Sequence, residues 1–124
     1  MKKLIIEGTQ FTPHVELDPA GEIIVKGRSI IEDPIAFFNP VFLWLKSCSM
    51  DNLHVTIRLE YMNTASSKQM YDFLMLISEN KSIKNTLVSW YYEEGDDDCY
   101  EMGKDFEMLI NLTFEYFEYE ESAA

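Results

Sequence analysis

Between Asn52 and Tyr119 the hydrophobic period switches repeatedly between about two and about three and a half residues. That alternation restricts the fold more than any other feature. Residues 52–62 read as a strand. His54, Thr56, Arg58 and Glu60 alternate with Leu53, Val55, Ile57, Leu59 and Tyr61, which makes one face apolar. Met70, Phe73, Leu74 and Ile77 then take the spacing of one helix face. Ser66 and Gln69 have capping-box spacing, so this helix is expected to start near Ser66 or Ser67. Residues 86–92 are a second β-rich run. Met102, Phe106, Leu109 and Ile110 mark another helix, and residues 112–119 close as a strand with Phe114 and Tyr116 on one face. Strand, helix, strand, helix, strand in this order favours parallel pairing through right-handed crossovers.

Ahead of this stretch the pattern is a small antiparallel meander. Leu4–Ile6 is a short apolar run, residues 14–17 alternate, and residues 22–26 return as a strand. Asp18, Pro19, Ala20 and Gly21 between them have the chemistry of a tight turn. Ile35, Phe38, Phe42 and Leu45 then form a helical stripe, with Asp33 as N-cap and Pro34 at the first helical position. Pro40 predicts a kink, or a helix that begins only after Asn39. The expected fold class is α/β: a mixed β-sheet with an N-terminal hairpin and about three helices packed on it, as one domain over residues 1–124.

Composition removes several functions. The chain has 22 acidic residues against 10 basic ones, for a net charge of −12, yet 47% of it is hydrophobic. It is too apolar to be a disordered acidic tail. Its charge disfavours nucleic acid and anionic membrane surfaces, so neither nucleic-acid binding nor membrane insertion is expected. No apolar run approaches the roughly 20 residues needed to cross a bilayer. The first residues imitate a signal peptide, but Glu7 and Gly8 stop the apolar segment early. A cytoplasmic protein is expected. Cys48 and Cys99 match no metal or redox spacing and read as ordinary thiols, at least one of them buried.

Enzyme motifs are mostly absent. There is no phosphate-binding glycine loop, no nucleophile elbow and no zinc-binding helix signature. A nucleophile pair drawn from His14, His54, Cys48, Cys99 or a serine has no support in spacing, so a small hydrolase is the weaker alternative. Asp96, Asp97 and Asp98 lack the alternation of a calcium loop and read as solvated, with Asp98 capping the next helix. Glu115, Glu118, Glu120 and Glu121 read as the charged outer face of an edge strand. The most suggestive cluster is Asn63, Thr64, Ala65, Ser66 and Ser67, between a strand end and a helix start. Functional groups gather at such ends in α/β sheets, and a helix N-terminus offers free N–H groups to an anion. Small polar clusters of this kind also serve simply to cap helices.

Three segments give this cluster a further meaning. They are Gly8-Thr9-Gln10-Phe11-Thr12-Pro13, then Gly27-Arg28-Ser29 with Glu32, and above all Leu59-Glu60-Tyr61-Met62-Asn63-Thr64 running into Ser66-Ser67-Lys68. In these the chain resembles, over nearly its whole length, the SiaC-type regulatory phosphoproteins of bacteria. The resemblance implies a fold similar to STAS anti-sigma-factor antagonists, no catalysis and no cofactor. It implies that Thr64 is a phosphoacceptor, with Tyr61, Asn63, Ser66, Ser67 and Lys68 shaping the loop and the partner contact. It implies a Ser/Thr protein kinase and a PP2C-type phosphatase as modifying partners. In some relatives the unmodified form binds a diguanylate cyclase. Ala65 departs from the serine often found there, and Ile31 from an expected proline before Glu32. A scaffold that uses its acidic, aromatic surface without modification is the alternative reading.

Overall fold

The computed structural model describes residues 2–120; Glu121, assigned above to an outer strand face, and Met1 lie outside the described residues. Six strands form one sheet in chain order: β1 (Leu4–Ile6), β2 (His14–Asp18), β3 (Glu22–Ser29), β4 (Met50–Met62), β5 (Ile83–Glu93) and β6 (Thr113–Tyr119). The first three pair antiparallel, and β3 to β6 pair parallel. The expected meander, crossovers and mixed sheet are all present. In the β2–β3 turn the Asp18 carboxylate accepts the Ala20 N–H at 2.9 Å. Gly21 follows at φ +109°, where a side chain would collide with the Asn52 carbonyl oxygen.

Three helices make the crossovers: α1 (Pro34–Ser47), α2 (Thr64–Glu79) and α3 (Asp97–Leu109). Every crossover steps one strand in the same direction, so right-handed connections place all three helices on one face of the sheet. Burial along the strands agrees. Val25, Ile57 and Trp90 are at most 1% exposed, whereas the alternate residues Lys26 and Arg58 face solvent. Helix residues Phe38, Val41, Met70, Phe73, Leu74 and Phe106 complete one core against them. Burying each large side chain contributes roughly 1.5–3 kcal/mol.

Four sequence expectations need correction. First, α1 runs unbroken from Asp33, whose carboxylate accepts the Ala36 N–H at 3.1 Å, through Pro40 to Ser47. Proline removes one backbone donor there, and the buried Phe38, Val41, Trp44 and Leu45 on either side offset the loss. Second, the expected stripe of α1 holds at Phe38 and Leu45, which are buried, and at Phe42, which packs on the core, but Ile35 is 68% exposed and Val41 and Trp44 join the buried face instead. Third, α3 seats Gly103 and Phe106, and its C-cap Ile110 is buried, while Leu109 stands 66% exposed. Its N-cap is Asp96, which accepts the Cys99 N–H at 3.1 Å; the expected cap, Asp98, already lies inside the helix. Fourth, Tyr61 does not continue the apolar face of β4. The β3–β4 register shifts between Gly27 and Arg28, and beyond that irregularity Met62 packs on the core while Tyr61 is 54% exposed.

Candidate functional site

The junction between β4 and α2 is built by a set of hydrogen bonds that the sequence pattern misplaces. Asn63 is the N-cap: its side-chain oxygen accepts the Ser66 N–H at 2.8 Å. The helix therefore begins at Thr64, not at Ser66 or Ser67, and the Ser66–Gln69 capping box does not form. The Ser66 hydroxyl is fully buried and accepts a 2.8 Å hydrogen bond from the hydroxyl of Ser29 at the end of β3. Asn63 also ties back to β3, donating its backbone N–H to Ser29 O at 3.0 Å and its amide to Ile31 O at 3.4 Å. Ser67 turns its hydroxyl onto Asn63 O at 3.1 Å.

Thr64 is exposed and its side chain makes no hydrogen bond among the described residues. Of the first-turn donors, Asn63 and Ser66 are satisfied, which leaves the N–H groups of Thr64 and Ala65 open at the positive end of the helix dipole. Lys68 lies one turn further along the same helical stripe, paired with Asp72 at 3.3 Å. That pair is exposed, so it holds Lys68 weakly. Tyr61, Asn63, Thr64, Ser66, Ser67 and Lys68 thus form one local constellation. Within it Ser66 and Asn63 are structural, while Tyr61, Thr64 and Lys68 present themselves to solvent.

Beside this junction a cleft of about 250 Å³ runs between the end of β4 and the first turns of α3. Leu59, Met62, Cys99 and Met102 give it apolar walls, and Glu60, Asp96 and Asp98 give it an acidic rim. Burial, with Asp96 adding to it, pushes the Cys99 thiol up to about 11. Burial likewise raises Cys48, which packs in the core and receives the Asn80 amide.

Two clusters on the helix-free face escaped the sequence reading. His54 Nε2 lies 2.7 Å from the Ser89 hydroxyl, and His54 Nδ1 lies 3.3 Å from the Glu22 carboxylate. The order Ser, His, Glu is that of a hydrolytic relay. Ser89, however, is 4% exposed in the middle of β5, flanked on both sides by paired strands whose N–H groups serve the ladders. The second cluster is His14, Lys26 and Arg58, adjacent across β2, β3 and β4. The hairpin register makes His14 opposite Lys26 legible, whereas the parallel register that adds Arg58 is not. Among the described residues no group of three or more His, Cys, Asp or Glu could hold a metal ion. No helix among them is long and apolar enough to cross a membrane.

Comparison with known proteins places the fold. A sequence model of SiaC family regulatory phosphoproteins matches residues 6–119. An uncharacterized protein of Pseudomonas aeruginosa strain UCBPP-PA14 is 30% identical over 119 residues, which cover 92% of this chain and 94% of that one. The solved structure of SiaC of Pseudomonas aeruginosa superposes with a TM-score of 0.83 at 28% identity, over 96% of this chain and all of that one. The SiaC chain in a crystal structure of the diguanylate cyclase SiaD with its activator SiaC, from the same organism, gives 0.81 at 27% identity. That match covers 94% of this chain and 99% of that one.

Proposed function

The chain belongs to the SiaC family of regulatory phosphoproteins, and from that membership we propose a non-enzymatic switch in which Thr64 is the phosphoacceptor and the unmodified form binds a partner protein. The partner class is a diguanylate cyclase, by analogy with the SiaC–SiaD pair of Pseudomonas aeruginosa. A Ser/Thr kinase and a PP2C-type phosphatase set the state of Thr64. The protein acts as one STAS-like regulatory domain in the cytoplasm, where the kinase finds its ATP.

The observation that carries this reading is the position of Thr64: solvent-exposed, first in its helix, with open N–H groups beside it. A phosphoryl group there adds close to two negative charges at a helix N-terminus, where they are well received. Lys68, one turn on, can exchange Asp72 for the phosphate. The free modified protein is therefore not penalised. A bound partner would be, because it must strip water from a dianion to close over the junction. A cost of a few kcal/mol lowers affinity tens- to hundredfold, at about tenfold per 1.4 kcal/mol.

The test is intact-mass analysis of protein from its own host, with and without phosphatase, beside binding to the host's diguanylate cyclase. A phosphate on Thr64 is expected in at least one growth state. Thr64→Ala should bind constitutively and Thr64→Glu poorly. Equal binding by the two variants, with Thr64 never modified, would favour an unmodified scaffold.

A further inference from the structure

The helix-free face carries a row of basic side chains that the regulatory reading does not use. His14 on β2 is opposite Lys26 on β3, and Lys26 is opposite Arg58 on β4. Adjacent strands lie about 4.8 Å apart, so the three stand side by side. Like charges directly opposite one another destabilise a sheet. Placing Lys26 beside Arg58 is thus conspicuous in a chain with only 10 basic residues. Arg58 leans off the row, its guanidinium carbon 4.0 Å from the centre of the Tyr119 ring. Lys26 is exposed and makes no ion pair among the described residues.

This row floors a cavity of about 330 Å³, roughly ten times the volume of a water molecule. The β1–β2 loop lines one side of it and is braced by its own hydrogen bonds. Thr9 Oγ1 accepts the N–H groups of Phe11 at 3.2 Å and Thr12 at 3.0 Å, and lies 2.7 Å from Thr12 Oγ1. With both lone pairs of Thr9 engaged, its proton goes to Thr12, and the Thr12 O–H is left free to donate. Ile30 N–H binds Phe11 O at 2.9 Å and fastens the loop to β3. The loop can approach because Gly8 lacks a Cβ, which would meet the His14 backbone nitrogen at 3.0 Å. Gly27 lines the same cavity at φ +109°, a backbone conformation that other residues rarely adopt. Two of the three segments that single this chain out in sequence therefore converge on one cavity.

We propose that this cavity binds a single phosphoryl group, carried by a small phosphate monoester or present as inorganic phosphate. Lys26 supplies the nearest unspent charge. The Thr12 hydroxyl supplies a hydrogen-bond donor, and Arg58 swings back from Tyr119 to close the site. Charge-assisted bonds to a tetrahedral dianion are among the strong ones. The carboxylates nearby set an upper limit on ligand charge. Glu60 lines the cavity, and Glu16 and Glu7 lie 3.6 Å and 3.8 Å from the His14 ring nitrogens. A second phosphoryl would face them, so polyphosphates and nucleic acid are refused.

The experiment is a two-dimensional ¹H–¹⁵N titration of the full chain with sodium phosphate, glycerol 3-phosphate, sodium acetate and sodium chloride at matched ionic strength. Saturable shifts centred on Thr9, Thr12, Lys26 and Gly27 are expected with one or both phosphates, and the tighter of the two identifies the source. Lys26→Ala should weaken binding at least about tenfold, and Lys26→Arg should retain it. Lys26 is exposed, so both variants should fold, and the unchanged remainder of the spectrum verifies this. Thr64→Ala should bind phosphate like the parent, which separates this site from the regulatory reading. Non-saturating shifts, equal shifts with chloride or acetate, or a Lys26→Ala protein that binds like the parent would each overturn the proposal.

Discussion

At the scale of single residues, the junction holding Thr64 depends on two polar side chains with different tasks. Asn63, half-buried, caps α2, and Asn63→Ala should lower stability by about 1 kcal/mol in urea unfolding. Ser29 and Ser66 share one buried hydrogen bond, so removing either hydroxyl strands the other, at about 1–3 kcal/mol. Removing both should cost clearly less than the sum of the single changes, and an additive double variant would show that the two do not couple. This is also where local sequence reading erred. Ser66 and Gln69 have capping-box spacing, but a spacing rule cannot see Ser29, 37 positions upstream, claiming the Ser66 hydroxyl. A second residue-scale expectation concerns Cys99. With its thiol raised to about 11, it stays protonated at pH 8 and should react with a disulfide reagent roughly a hundredfold more slowly than free cysteine. The sign for stability follows. The fold favours the thiol, so this contribution is intact below the ordinary cysteine range and is lost as the pH rises from there toward about 11. Rapid labelling of native protein at pH 8 would contradict it.

At the scale of elements, period alone located the principal strands and helices, because the apolar residues of β4, α2 and β5 are buried in step with their spacing. The phase of α1 and α3 was less legible. Which stripe of a helix is buried depends on how it lies against the sheet, and Ile35 and Leu109 are apolar side chains on the wrong side of that contact. Tyr61 was misassigned for another reason: one register irregularity reverses the alternation that a period assumes to continue. The seat of α3 rests on Gly103, whose missing Cβ would stand 2.7–2.9 Å from the Trp90 indole. Gly103→Ala gains up to about 1 kcal/mol of helix propensity, but crowding a packed contact costs about 1–3 kcal/mol. Net destabilisation is expected in thermal unfolding, together with altered Trp90 fluorescence. A stabilised variant would mean that the helix can lift without loss.

At the scale of the whole molecule, a net charge of −12 on 124 residues repels itself, and exposed ion pairs such as Lys84–Asp51 and Lys68–Asp72 return little. Raising sodium chloride from about 20 mM to about 500 mM should screen this repulsion and raise Tm by a few degrees. A fall in Tm would instead show that attractive pairs dominate. Net charge was plain in the sequence, whereas the row of His14, Lys26 and Arg58 became visible only once the parallel register was known. The strand order carries a last consequence. Open α/β sheets that bind nucleotides do so where neighbouring crossovers depart in opposite directions and split the helix layers, which opens a crevice at the strand tips. Here the count from β1 to β6 never reverses, so no such parting occurs, and the rim holding Thr64 is continuous. Apart from the small cleft beside α3, a rim of that shape gives the surface of another protein something to rest against.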